Sequence, residues 1–389
     1  MRGSVSIQEK VKKILNTDVS SLLRIKKSRG SNKGLNKIIF SKSCVSIDLG
    51  SRYIKIAVVR EASGKVVLDK LVKIKTPNNA LNDGDISDKI RLSHLLQKEL
   101  INEGIKVKET AVTSNSTVII NREIIVPKAE EDELDTLINY EIQQYLPINL
   151  NDYIVQYDVL EEIKGEDIDK LRVLVVTYPK RLARQYYDFT LSSGLKPKSL
   201  DINFNAVKKV MLRNMINTES GENEDEKSTA IVDIGADTIE VNIYINQGID
   251  FTRIIKYGGN AIDKEISKEL KIDLKRAEAC KIAVNNEDEE ITENKKIIEK
   301  YLDSFKRDVL EELQRIFQFY RNKKVGNKID KIYLHGGGSR IRGLAEFLES
   351  ELNISVNKVN QLENVMLSKN CPKDELDIYL NAIGAVIRL

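Results

Sequence analysis

A chain of 389 residues, 41% apolar and 31% charged, is long enough for two or more domains and has the composition of a water-facing globular protein. Its net charge of +3 is uneven: residues 1–42 carry eleven Lys/Arg against two Asp/Glu, while the remaining 347 residues sum to −6 and hold no basic stripe interleaved with aromatics, which argues against nucleic-acid binding. No run approaches the roughly 20 apolar residues of a membrane span; three scattered cysteines and two histidines argue against a disulfide framework or a His-based metal centre and fit a reducing cytoplasm.

In the basic extension, Val11, Ile14, Leu15, Val19, Leu22 and Leu23 recur at helical spacing among Lys10, Lys12, Lys13 and Arg24. The stretch reads as a tail with transient helix or, alternatively, as a basic amphipathic helix touching a membrane surface or a partner. Ser28 to Asn36 reads as a linker. Strands are predicted near 44–48, 53–60 and 66–75, followed by an Asn-rich loop, a helix from Ile86 to Gly104 and a strand from Glu109 to Thr113. Residues 117–181 read as an inserted unit. It has a strand from Ile119 to Val126, a helix from Glu130 to Leu146 with acidic residues in its first turn, and strands from Tyr153 to Glu161 and Leu171 to Tyr178. A helix from Lys180 to Ser193, a strand from Leu195 to Asp201 and a helix from Asn203 to Asn217 lead to a charged connection at Glu219 to Lys227.

The next part opens at Ser228. A Gly-Gly turn after Ile254 leads to helices at 260–270 and Leu274 to Ile282, and Asn285 to Asn294 is an acidic loop. Ile297 to Arg321 is a long helix with Leu302, Phe305, Val309, Leu313, Ile316, Phe317 and Tyr320 facing a core. A strand ending near Leu334 runs into Gly336, Gly337 and Gly338, then into a helical pattern from Arg342 to Leu352. Glu375 to Leu389 reads as a closing helix.

Two of these stretches are copies. CVSIDLGSRYIKIAVVR at Cys44 to Arg60 and AIVDIGADTIEVNI at Ala230 to Ile243 superimpose at an offset of 185, which lays Asp48 on Asp233 and Gly50 on Gly235. Each is strand, turn, strand, with a carboxylate and a glycine at the turn, a geometry that lets an oxyanion approach backbone N–H groups. Two such turns facing each other can hold a polyphosphate, and their carboxylates can hold magnesium through water. The strand, glycine run and helix around residue 336 add a wall for a flat ligand. No lysine-centred phosphate loop occurs.

Two acidic glycine turns followed by a late glycine-rich turn resemble the actin-like ATPase superfamily (actin, sugar kinases, heat-shock chaperones, FtsA). Within it, IDLGSRYIK, IIVPKAEEDELDTLINYEIQQYLP, ELQRIFQFYR, GGGSRIRGLAEFLESEL and NAIGAVIRL resemble the PilM family of type IV pilus assembly, from about Ser43 to Leu389. The resemblance implies an α/β, actin-like (ribonuclease H-like) two-domain fold with a duplicated core and an FtsA/PilM-type inserted subdomain. Domain I would comprise 43–116, 182–227 and 366–389, and the insertion 117–181. Domain II would comprise a core of 228–258 and 323–365 with a helical subdomain at 259–322.

For the site, the resemblance implies ATP with Mg²⁺. Gly50, Ser51 and Arg52 would face the phosphates from one side and Gly235 and Ala236 from the other, with Asp48 and Asp233 on the metal. Lys55 would neutralise phosphate or, alternatively, point outward from its strand. Arg52 stands where the superfamily usually has a small residue. Glu278 and Lys281 would contact the nucleoside or, alternatively, form a surface ion pair with each other. Gly336, Gly337, Gly338 and Ser339 would lie under the base. Asp201 is the one candidate to orient a hydrolytic water, so weak or no ATPase activity is expected. The implied partner is the cytoplasmic N-terminal tail of a PilN-like inner-membrane protein, in a groove beside the inserted subdomain, with further pilus assembly proteins. The expected place is the cytoplasmic face of the inner membrane. Alternatives are an actin-fold ATPase or sugar kinase, and an FtsA-like division protein. That family usually adds a C-terminal amphipathic helix, whereas this sequence ends after its last expected fold helix.

Overall fold

The computed structural model describes residues 37–38, 43–146, 149–212, 228–245, 248–286, 294–363, 365–369 and 371–388. The helical spacing read in the basic extension, the end of the helix expected up to Asn217, the 219–227 connection and most of the acidic loop at 285–294 lie outside them. Three sheets organise the chain. The first is built by β1 (Ser43–Leu49), β2 (Tyr53–Ala62), β3 (Lys65–Lys75), β4 (Glu109–Ser114), β8 (Lys196–Ile202) and β14 (Val365–Leu367). Its order is β8-β4-β1-β2-β3-β14. An inserted sheet, order β5-β7-β6, consists of β5 (Ile120–Pro127), β6 (Tyr153–Ile163) and β7 (Lys170–Pro179). The third sheet, order β11-β10-β9-β12-β13, consists of β9 (Ser228–Ile234), β10 (Ile239–Ile245), β11 (Gly248–Ile255), β12 (Lys331–His335) and β13 (Ser355–Lys358).

The first and third sheets share one plan. An antiparallel meander (β1-β2-β3, then β9-β10-β11) is extended on the side of its first strand by two parallel strands (β4 and β8, then β12 and β13). The repeat seen in the sequence is therefore a repeat of topology and of register: Asp48 faces Lys55 across β1/β2, and Asp233 faces Glu240 across β9/β10. The central strands are apolar on both faces because helices or the neighbouring layer cover both, as parallel neighbours require.

Nine α-helices are described: α1 (Lys89–Asn102), α2 (Glu131–Tyr145), α3 (Lys180–Ser192), α4 (Asn203–Leu212), α5 (Gly259–Leu270), α6 (Leu274–Asn285), α7 (Lys295–Lys323), α8 (Leu344–Leu352) and α9 (Leu380–Ala385). Asp88 caps α1 and Asp273 caps α6, each through its carboxylate on the third backbone N–H of the helix. The stripe read on α7 is buried as expected, from Leu302 to Tyr320. Three apolar cores result, one per sheet.

The closing helix expected from Glu375 to Leu389 is a correction. The segment is a 3₁₀ turn at Lys373–Tyr379, a short α9, and a two-residue strand, Ile387–Arg388, paired with Lys37–Ile38. Asp377 is drawn toward Arg340 of the glycine turn, which favours a local turn over a continuous helix. Strands β11, β13 and β14 were not read from the sequence. Their short, polar-interrupted runs carry weak alternation, and their neighbours supply the pairing.

Helices α4 and α9 cross so closely that a Cβ on Gly384 would sit 2.1 Å from the Ala206 carbonyl oxygen. Gly384→Ala is expected to lower the unfolding free energy by about 1–3 kcal/mol in urea melts. Gly337→Ala, whose Cβ meets nothing within 4 Å, should stay within about 0.5 kcal/mol of the parent.

Candidate functional site

The two acidic turns approach each other between the first and third sheets, with a cleft between them: the charge of Asp233 acts on Lys55, and Arg52 reaches Asn260 and Asp263 of the helix bonded to the second turn. On the first side, Asp48 is buried and accepts from Lys55 Nζ at 2.7 Å. Burial alone pulls the Lys55 pKa down, but the charges of Asp48 and Asp233 outweigh it and hold the ammonium above its ordinary value. The outward-pointing alternative for Lys55 is therefore overturned. The turn is braced by Thr76, whose hydroxyl donates to the Gly50 carbonyl at 2.7 Å and whose N–H donates to Arg52. Gly50 is needed because a Cβ there would lie 2.8 Å from the Tyr53 carbonyl oxygen.

The second turn is built alike and charged differently. Gly235 N–H donates to Thr238, and the carbonyls of Gly235 and Ala236 accept from the first two N–H groups of α5, at Gly259 and Asn260, at 3.0 and 2.8 Å. Asp233 accepts from Asn381 Nδ2 at 2.9 Å. Where the first hairpin has Lys55, the second has Glu240, buried and accepting from Asn115 at 2.5 Å and Asn242 at 3.0 Å. Burial, then the charge of Asp233, pushes the Glu240 pKa up to about 8. Asn115 follows β4, so this contact joins the two sheets.

The glycine turn closes the third side. His335 ends β12 with Nδ1 3.9 Å from Asp233, and burial holds its pKa down, so it is a neutral strand-end residue. Gly336 has φ +82°, and a Cβ on it would fall 2.2 Å from Asp233 Oδ1; only glycine fits between that carboxylate and the turn. Its N–H donates to the Asp377 carbonyl at 3.2 Å, and Arg340 Nε donates to the Asp377 carboxylate at 2.8 Å. Ser339 is buried, its hydroxyl donating to the Gly336 carbonyl at 2.7 Å. Gly337 opens onto free space and Gly338 packs over Ile234.

Arg52 crosses the cleft. Its guanidinium pairs with Asp263 of α5 and with Glu278 of α6, the latter at 2.5 Å, and donates to Asn260. Burial works against the charge, while Asp263 and Glu278 raise the guanidinium pKa above its ordinary value. Glu278 also receives Lys75 at 2.7 Å and the Tyr53 hydroxyl at 3.4 Å. Burial would raise its pKa, but Lys75 and Arg52 hold it below the usual glutamate value. Lys281 pairs instead with Asp263 at 2.7 Å and donates to the Gly259 carbonyl at 3.2 Å. The surface ion pair between Glu278 and Lys281 is thus overturned: each reaches a different partner in the cleft.

Asp201 lies apart. By register it sits beside Thr113, which sits beside Asp48, about 10 Å away at the usual strand spacing. One oxygen accepts from Ile202 N–H and Asn205, and the other meets Lys209 Nζ at 2.5 Å. It lies just before α4 with its charge already paired by Lys209. Among the described residues, no group of three or more His, Cys, Asp or Glu could hold a metal ion directly. The sequence reading missed Glu240, Asn260, Asp263, Asp377 and Asn381. Glu240 was reachable, since it lies on Lys55 in the same superposition of the two repeats.

The profile of the family described as type IV pilus assembly protein PilM matches residues 46–388. The solved PilM-PilN type IV pilus biogenesis complex is 20% identical at a TM-score of 0.75, over 89% of this chain and 98% of that one. The ethanolamine utilization protein EutJ from Carboxydothermus hydrogenoformans is 13% identical at a TM-score of 0.51, over 98% and 100%. Among sequence relatives, the cell division protein FtsA of Neisseria meningitidis is 27% identical over 223 residues, 54% of this chain and 49% of the relative, so the chain spans about half of its length. FtsA of Buchnera aphidicola is 22% identical over 391 residues, covering 89% of this chain and 91% of the relative. The fold is actin-like, with a duplicated α/β core.

A folded-state pKa raised to about 8 means that Glu240 favours the folded chain while protonated, and that this contribution is lost as pH climbs from the ordinary glutamate value through about 8. The stability of wild type relative to Glu240→Gln should therefore fall by about 1 kcal/mol per pH unit between pH 5 and 8. Urea melts across that range check it; a flat difference would refute the buried, protonated state.

Proposed function

The chain belongs to the PilM family of type IV pilus assembly proteins, and from that premise we propose that it is an ATP-binding scaffold that captures the cytoplasmic N-terminal tail of a PilN-like inner-membrane protein. The observation that carries the nucleotide part is that both acid-tipped glycine turns border one cleft, with Arg52 reaching from one to the helix stitched to the other. The backbone of Gly50 and Ser51 would take the phosphates from one side and that of Gly235 and Ala236 from the other. Lys55, already charged and half-buried beside Asp48 and Asp233, would meet the phosphates. Glu278 and Lys281 would contact the nucleoside, and Gly336 to Ser339 would form the floor beneath the base.

Magnesium, when bound, would supply charge neutralisation of the phosphates. Of the two acids expected to hold it through water, Asp233 is the better suited. Asp48 already has Lys55 at 2.7 Å, whereas Asp233 is held by neutral Asn381 and stands beside neutral His335. For hydrolysis the chain offers little: Asp201 is paired with Lys209, and Glu240, with its pKa near 8, is mostly protonated at neutral pH. We read the nucleotide as a structural ligand that favours closure of two domains divided as the sequence suggests.

The partner reading draws its support from the family and from the structural relative, a PilM-PilN complex. The groove beside the inserted sheet would take the tail, placing the chain at the cytoplasmic face of the inner membrane with other pilus assembly proteins. Residues 1–42 would add contact with the membrane surface. No helix among the described residues is long and apolar enough to cross a membrane.

Calorimetric titration of the full chain should show binding of Mg-ATP, weakened about tenfold or more by Asp233→Asn, and binding of a synthetic peptide of the PilN N-terminal tail. Saturable ATP binding without peptide binding would favour a division-type role like that of the FtsA relatives. Rapid phosphorylation of a carbohydrate would sink the scaffold reading.

A further inference from the structure

Arg52 does something that the nucleotide reading does not require. It belongs to the first acidic turn, yet its guanidinium is committed to carboxylates on the other side of the cleft, Asp263 on α5 and Glu278 on α6, and to the side chain of Asn260. The setting is mostly dry: the Arg52 side chain is 21% exposed, Glu278 10% and Asp263 1%. Two further contacts join the same sides, Lys75 to Glu278 at 2.7 Å and the Tyr53 hydroxyl to Glu278 at 3.4 Å. Lys281 pairs with Asp263 from within its own half.

The physical consequence follows from reach and desolvation. A planar guanidinium can serve two carboxylates at once, which an ammonium on a flexible stem does less well. Removing one partner of a buried pair leaves the other charge unpaired in a poorly solvated place, so such a contact resists separation more than a surface pair does. Opening the cleft would pull Arg52 from both acids together. A small side chain in that turn would bridge nothing.

We propose that Arg52 is a built-in bridge that holds the cleft closed without a ligand, so that the closed arrangement is the resting state of this chain and closure does not wait for nucleotide. The bridge and bound phosphates act on the same two turns; each alone suffices for closure. Only the nucleotide arm of the test below rests on the function proposed above.

Hydrogen exchange of the full chain, without nucleotide and with Mg-ATP, tests this. In wild type without nucleotide, peptides covering 49–56 and 259–285 should be protected, with little change on adding Mg-ATP. Arg52→Ala without nucleotide should exchange about tenfold or more faster in these peptides, the effect of losing hydrogen bonds to charged groups, while β10 keeps wild-type protection as evidence of an intact fold. Arg52→Lys should lie between. Glu278→Gln, which weakens the bridge from the other side, should move the same peptides in the same direction and serves if Arg52→Ala does not fold.

Adding Mg-ATP to Arg52→Ala should restore protection. Wild-type rates in both variants would overturn the proposal. So would lost protection that saturating Mg-ATP fails to restore although the variant binds it, because ligand and bridge would then not be interchangeable. Were wild type to bind no ATP at all, the nucleotide reading would fail, and the comparison of unliganded wild type with Arg52→Ala would still decide the bridge.

Discussion

Buried carboxylates need partners, because taking an unpaired ion out of water costs several kcal/mol even after the surroundings relax. Four buried ones, Asp48, Glu240, Asp263 and Glu278, and the half-buried Asp233 surround the two turns. Each is managed differently. Asp48 has an ammonium, Asp263 and Glu278 share a guanidinium and have a lysine each, Asp233 has an amide, and Glu240 keeps its proton. The arrangement of the cleft follows from these solutions. Lys55 draws the first hairpin inward, Arg52 draws α5 and α6 across, and Asn381 brings the C-terminal segment to the second turn.

The duplication shows how two copies of one hairpin came to do unlike things. The backbone plan is common to both, down to the position of the acid and of the residue opposite it. The residue opposite the acid differs, a charged lysine in one copy and a protonated glutamic acid in the other. A neutralised acid on one side and a charged one on the other make the cleft electrostatically lopsided. On the function proposed above, a cation would be directed to Asp233 and an anion to Lys55. A symmetrical pair of hairpins would offer no such distinction.

Much of this was legible in the chain because it is written in local terms. Alternating apolar residues ending in Asp-x-Gly mark a hairpin wherever they occur, and the long stripe of α7 marks a helix against a core. The misses share a physical cause: they depend on what the segment meets. The stretch from Glu375 has helical composition, but Asp377 is captured by Arg340 and the Gly336 N–H takes its carbonyl, so the backbone turns early. Glu278 and Lys281 have the spacing of a helix-surface pair, but Arg52, Lys75 and Asp263 arrive from elsewhere and take them separately. Asp201, read as the candidate to orient a hydrolytic water, has a partner that local sequence does not announce, because α4 brings Lys209 onto it.

The inserted sheet belongs to the same electrostatic framework. Arg172 of β7 pairs with Asp250 of β11 at 2.7 Å as well as with Glu123 and Glu161 of its own sheet. Tyr320 of α7 holds the other oxygen of Asp250 at 2.8 Å, and Lys323 and Lys324 reach Glu123 and Glu161. On the opposite flank, Lys208 of α4 pairs with Asp158 of β6. The insertion is therefore bonded to both halves of the duplicated core. A rotation that parts the acidic turns must also strain Arg172 against Asp250, since α4 anchors the insert to the first half while β11 and α7 belong to the second. Whatever stabilises the insert in its present place stabilises the closed cleft, and the converse holds by the same linkage.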